Sequence, residues 1–228
     1  PAMTDPKPTA RREAALPALR LDAAGRRHID MRALAVLALP LVLNSTVQAG
    51  LNLTDTWFIG RISTDATAAV GATYWFLIVA LLFFGGAGLA VQTLSSHAYG
   101  AGDRRAAAQA AWAGLHGVLV ISPAFILLAF SGAWIVNTLM LAPGVAELAA
   151  QFWFPRMLGG AFAVGMWGIT GFFNGIGRPR VTFAVMMVVA VLNALLNWLL
   201  IVGWGWGIAG SAWATTIALG AGLAMAMA

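Results

Sequence analysis

Cysteine is absent from the 228 residues. Its absence excludes disulfides, thiol catalysis and a cysteine-based metal site, and leaves the redox compartment open. Charge is scarce as well, with 9% of residues charged against 61% hydrophobic. A soluble domain carries about a quarter charged residues, so composition alone reads as an integral membrane protein. The first 32 residues lack an apolar h-region, so they are not a secretory signal peptide, and the first membrane helix must serve as its own targeting signal. HExxH, GxSxG and paired carboxylates are missing. The glycine runs GAGDRR and GIGRPR lack a preceding strand and the GK[ST] or complete GxGxxG pattern that cradles phosphate. No enzyme, no cofactor and no internal repeat is read here.

What remains is apolar and segmented. Six apolar stretches lie near 33–59, 66–94, 106–130, 148–173, 181–202 and 208–228, separated by breaker-rich loops such as GRISTD and NGIGRPR. A chain of this length has room for six spans of about 20–25 residues plus a tail. The expected fold is an all-α membrane protein, a six-transmembrane-helix bundle over 33–228 behind a polar, disordered cytoplasmic tail over 1–32. The chain stops at Ala228 inside or just past an apolar run, which leads one to expect a fragment, or one half of a longer protein.

The net charge of +5 and pI near 11.1 would suggest nucleic acid in a soluble protein. Here the cations mark topology instead, and no nucleic-acid partner is expected. Eleven Lys and Arg fall on the side of the N-terminus: seven in the tail, then Arg104, Arg105, Arg178 and Arg180. Only Arg61 and Arg156 fall on the other. The N-terminus is therefore expected in the cytoplasm of a multi-pass inner-membrane protein, with the Trp204–Gly205–Trp206 corner at the outer interface. Gly85, Gly86 and Gly88, and Gly165, Gly168, Gly171 and Gly175, mark faces where helices approach closely. Pro40 and Pro123 remove backbone donors inside their helices and can kink them.

The first apolar stretch carries Asn44, Gln48, Asn52 and Asp55 at spacings of four, four and three. At about 100° per residue these fall within an arc of roughly 80° on one helix. Such a stripe is expensive in hydrocarbon unless it faces a cavity or other helices. Asp55 is the only acid well inside a span. Stripped of water, a carboxylate needs a cation, so a proton or sodium ion becomes its expected partner and Asp55 the ion-coupling residue. Asn193 and Asn197, then Ser211 and Thr215, repeat an i, i+4 pairing on later helices, with oxygens suited to sodium or to a protonated Asp55. Sodium at Asp55, Asn193 and Asn197 is the one metal expected. Thr170 and Asn174 are weaker cavity candidates. His116 reads as hydrogen-bonded packing, and Arg156 as a structural residue that snorkels outward or pairs with Glu147.

The pattern NxxxQ…NLTDTWFIGRI resembles the first helix of the multidrug and toxic compound extrusion (MATE) family. GLAVQTLSSHAYGAGDRRAA resembles that family's second helix and following loop, and NGIGRPR, LNALLNWLLIVG and GIAGSAWATT its fourth-to-sixth helix region. The resemblance covers residues 34–228 and rests on the order and spacing of these motifs together. It implies one six-helix lobe of a twelve-helix transporter that exports small, often cationic, compounds against inward proton or sodium flow. It also implies the lipid bilayer as surroundings, and the missing C-terminal lobe or a homodimer partner. In the branch resembling DinF, favoured here over the branch resembling NorM, the first-helix aspartate couples the ion, and Asp55 holds that position. Pro40 matches a proline at which bending has been proposed, and Gln48, Asn193 and Thr215 match cavity-lining positions. Where that branch often has a second acid, this chain has Asn197, so a two-carboxylate relay is not expected. The rival readings are a lipid-linked oligosaccharide flippase, which would want several cavity cations, and a non-transporting membrane scaffold.

Overall fold

The computed structural model describes residues 19–21 and 27–228. The chain forms two compact units, Pro1–Ser45 and Thr46–Ala228. In the first, strand β1 (Leu19–Leu21) pairs antiparallel with β2 (Arg27–Ile29), Arg20 opposite His28. Asp30 Oδ1 then accepts from the amides of Arg32 at 3.0 Å and Ala33 at 3.1 Å, capping the start of a helix. Most of the tail read as disordered lies outside the described residues.

That helix, α1 (Met31–Gly60), runs as helix past Pro40, whose side chain lies outside the described residues. Thereafter come α2 (Thr64–Gly100), α3 (Arg104–Phe130), the short α4 (Gly132–Thr138), α5 (Pro143–Leu158), α6 (Gly160–Gly175), α7 (Pro179–Asn197) and α8 (Gly207–Met227). Local chemistry sets the starts. Ser63 caps α2 through Ala66 N at 3.0 Å, Asp103 caps α3 through Ala106 N at 2.8 Å, and prolines open α5 and α7. Gly102, at φ +84°, makes the turn before α3 that a side chain would resist.

Among the described residues, four helical runs are long and apolar enough to cross a bilayer: α2, α3, α7 with its extension to Gly203, and α8. The fourth expected span is two helices of 16 residues that meet at Gly159. Hydrogen bonds carry on across the joint, from Gly159 N to Pro155 O at 3.1 Å and from Ala163 N to Gly159 O at 3.1 Å. The element is therefore dented rather than severed. Helix α4 and the wide π turn Trp198–Gly203 after α7 had no sequence expectation.

Large apolar side chains such as Phe83, Val120 and Leu127 lie exposed, as they would against lipid tails rather than water. Inside the second unit, α2 and α6 touch at backbone distance. A methyl group on Gly175 would sit 2.8 Å from Gln92 O, and one on Gly88 3.0 Å from Val164 O. Gly86 faces open space, so it is not one of the contact glycines. One core gathers Phe125, Phe152, Trp153 and Ile208; another gathers Leu51, Met166, Val185 and Val189. Thr216 Oγ1 donates to Pro155 O at 2.7 Å, tying α8 to α5. Their sequence neighbours, Thr215 and Arg156, consequently line the same cavities.

Candidate functional site

Thr54 and Thr56 spend their hydroxyls on their own helix, at Gly50 O (2.9 Å) and Asn52 O (2.8 Å). The stripe beside them does otherwise. Asp55 Oδ1 accepts from Asn197 Nδ2 at 2.7 Å, and Asp55 Oδ2 from Thr215 Oγ1 at 3.0 Å. A single carboxylate thus joins α1 to α7 and α8. Behind it, Asn193 Nδ2 donates to Thr215 Oγ1 at 3.2 Å, and Asn197 Nδ2 lies 3.1 Å from both Asn193 O and Asn193 Oδ1. Asn193, Asn197 and Thr215 are buried. Asn197 Oδ1 is buried and has no hydrogen-bond partner among the described residues, which leaves an acceptor open one amide away from the carboxylate.

Two cavities of about 230 Å³ each adjoin the cluster. Asp55, Thr56 and Ser211 line the first, and Gln48, Leu51 and Thr170 the second. Asn52, Tyr74, Arg156 and Thr215 belong to both. Gln48, Asn52 and Asp55 therefore share the cavity side of α1. Asn44 belongs to the other unit, and its buried Oδ1 has no hydrogen-bond partner among the described residues. Thr170 bonds Met166 O of its own helix at 2.6 Å, and Asn174 accepts from Thr182 Oγ1 at 2.9 Å, tying α6 to α7.

Arg156 departs from expectation. Glu147 takes no part in an ion pair with it and instead accepts from Gln151 Nε2 at 3.4 Å. The guanidinium lines both cavities and acts electrostatically on Asp55. Its signal in the sequence is that it is the one Lys or Arg within the six apolar stretches. His116 Nδ1 meets Trp112 O of its own helix at 2.7 Å and lines neither cavity.

The family model MatE matches residues 40–199. The chain belongs to the MATE family. Its members are transporters and not enzymes, and this chain is a multi-pass membrane protein. Among curated relatives, a probable multidrug resistance protein NorM of Chromobacterium violaceum is 32% identical over 210 residues, covering 86% of this chain and 44% of that protein. One from Bradyrhizobium diazoefficiens is 32% identical over 167 residues, 73% of this chain and 36% of its own length. The chain thus spans less than half the length of these relatives. A solved MATE structure in complex with MaL6 superposes at TM-score 0.77 with 21% identity, over 83% of this chain and 42% of that one. At that identity the likeness concerns the fold.

Proposed function

We propose that this MATE chain is part of a cation-coupled antiporter that exports small organic compounds, with Asp55 as the coupling residue as in the DinF-like branch. One observation carries the reading: a carboxylate at a cavity wall, gripped by Asn197 Nδ2 at 2.7 Å and Thr215 Oγ1 at 3.0 Å. Hydrogen bonds to a charged group contribute about 1.5–3 kcal/mol each, so the ionised carboxylate fastens α1 to α7 and α8. When a proton or sodium ion neutralises Asp55, that grip weakens and α1 repacks. A cavity that held substrate beside an anion now holds it beside a neutral group, and the substrate leaves. The open Oδ1 of Asn197 and the oxygens of Asn193 and Thr215 are hard donors of the kind sodium takes. Pro40 is the proposed bending point of α1. The C-terminal lobe, or a second copy of this lobe, supplies the other wall. The N-terminus is cytoplasmic by the cation count.

The test is driven uptake of a fluorescent cation into proteoliposomes under an imposed pH or sodium gradient. Asp55→Asn is expected to abolish gradient-driven uptake while the protein stays folded, with a single cooperative thermal melt. Full driven uptake by Asp55→Asn would overturn the coupling assignment. No uptake by the parent under either gradient would favour the scaffold reading.

A further inference from the structure

Among the described residues, Asp55 and Arg156 are the charged side chains lining the two cavities, and they are not equivalent. Each oxygen of Asp55 already accepts a hydrogen bond from the protein. The guanidinium of Arg156 makes no hydrogen bond and no ion pair among the described residues, although it feels the Asp55 charge through space. Its five N–H donors are therefore unspent, beside cavities whose walls carry Tyr74, Phe152, Met166, Trp167 and Met186 as well as the polar side chains of α1 and α8. A cation in such surroundings is costly unless it meets an anion. A planar guanidinium meets a carboxylate best, through two parallel N–H···O bonds. Aromatic and methionine walls beside it suit a flat apolar body.

We infer that Arg156 is a specificity-determining residue that binds the carboxylate of zwitterionic aromatic compounds, whose cationic end lies toward Asp55. This rests on the export reading above and names its substrate class. The arrangement keeps antiport intact, because the cationic end and the coupling ion compete for the field of Asp55 while the carboxylate fixes orientation. It also differs from the several cavity cations expected of a phosphate-handling flippase, since Arg156 is the one Lys or Arg lining these cavities among the described residues. Size agrees: each cavity, at about 230 Å³, comes near the lower end of the range of about 300–1,000 Å³ that takes drug-sized ligands, and the two share lining residues.

The experiment is equilibrium binding to the purified full-length protein in detergent, followed by fluorescence polarisation. The probes are a rhodamine with a free benzoate, which is zwitterionic, and its methyl ester, a plain cation of nearly the same shape. The parent is expected to bind the acid about tenfold to a hundredfold more tightly than the ester, the range for one charge-assisted bidentate contact. Arg156→Gln should bind both alike, and Arg156→Lys, which keeps charge but not the fork, should retain only part of the preference. Equal affinities in the parent, a preference for the ester, or no binding of either would overturn the inference without any variant having to fold. An acid preference that survives Arg156→Gln would remove Arg156 from the role. Because no gradient is involved, a parent that binds the acid while Asp55→Asn keeps driven uptake would sink the coupling assignment and leave this site standing.

Discussion

Thr215 Oγ1 stands between a carboxylate and an amide, 3.0 Å from Asp55 Oδ2 and 3.2 Å from Asn193 Nδ2, with Ser211 O at 3.1 Å. One hydroxyl proton cannot serve Asp55 and Ser211 together, so its direction depends on whether Asp55 carries charge. Thr215→Val keeps the volume, deletes the hydroxyl and strands the Asn193 donor. A lost charge-assisted bond of about 1.5–3 kcal/mol corresponds to a loss of tenfold or more in gradient-driven uptake rate. Thr215→Ser should restore most of it, and initial rates in proteoliposomes measure both. At this scale the polar stripe was legible because spacing fixes a helix face: Gln48, Asn52 and Asp55 reach the cavities together. The partnership of Asp55 with Asn197, 142 residues on, was not, since pairing across such a distance depends on packing that no local pattern encodes. Arg156 was misread for a related reason. Position along a span suggests depth, but whether a side chain faces lipid, water or a cavity is decided by the neighbouring helices.

At the scale of elements, glycine spacing indicates where helices can approach but not which glycines are used. Gly88 lies against the Val164 carbonyl, and Gly86, two residues away, against open space. Gly88→Val must push α2 from α6 or distort one of them, at a cost of about 1–3 kcal/mol for overpacking. A Cβ at Gly86 meets nothing within 4 Å, so Gly86→Val should stay within about 0.5 kcal/mol. Thermal melts in detergent should therefore show the first variant lower by several degrees and the second unchanged; equal melts would contradict the contact. The irregular parts of the bundle left weaker marks. Pro155 and Gly159 signal a weak point in the fourth span, but the hydrogen bonds that cross it arise from tertiary support. The π turn directly after Asn197 is likewise unmarked in WLLIVG, although wide turns concentrate where side chains must be aimed. It adds room in the backbone at the end of the helix that presents Asn193 and Asn197 to Asp55.

At the scale of the whole molecule, the side of the membrane on which the cavities open determines what Asp55 can do. The cation count places the turn after α2, with Arg104 and Arg105, on the cytoplasmic side and the turn before α5, with no Lys or Arg, outside. Asp55 is five residues from Gly60, where α1 ends next to Arg61, so on this topology the carboxylate lies nearer the outer face than the inner. A coupling ion entering from outside would then reach it by a short path, the direction an exporter driven by inward cation flow requires. The absence of cysteine makes this directly testable, because any thiol introduced within these residues is the only one there. Ala101→Cys in the turn after α2 and Ala142→Cys in the turn before α5 are both exposed substitutions. In intact cells a membrane-impermeant maleimide should label Ala142→Cys and leave Ala101→Cys unlabelled until the cells are broken open. The reverse pattern would invert the topology, place Asp55 near the cytoplasmic mouth, and turn the same cluster into a site loaded from inside.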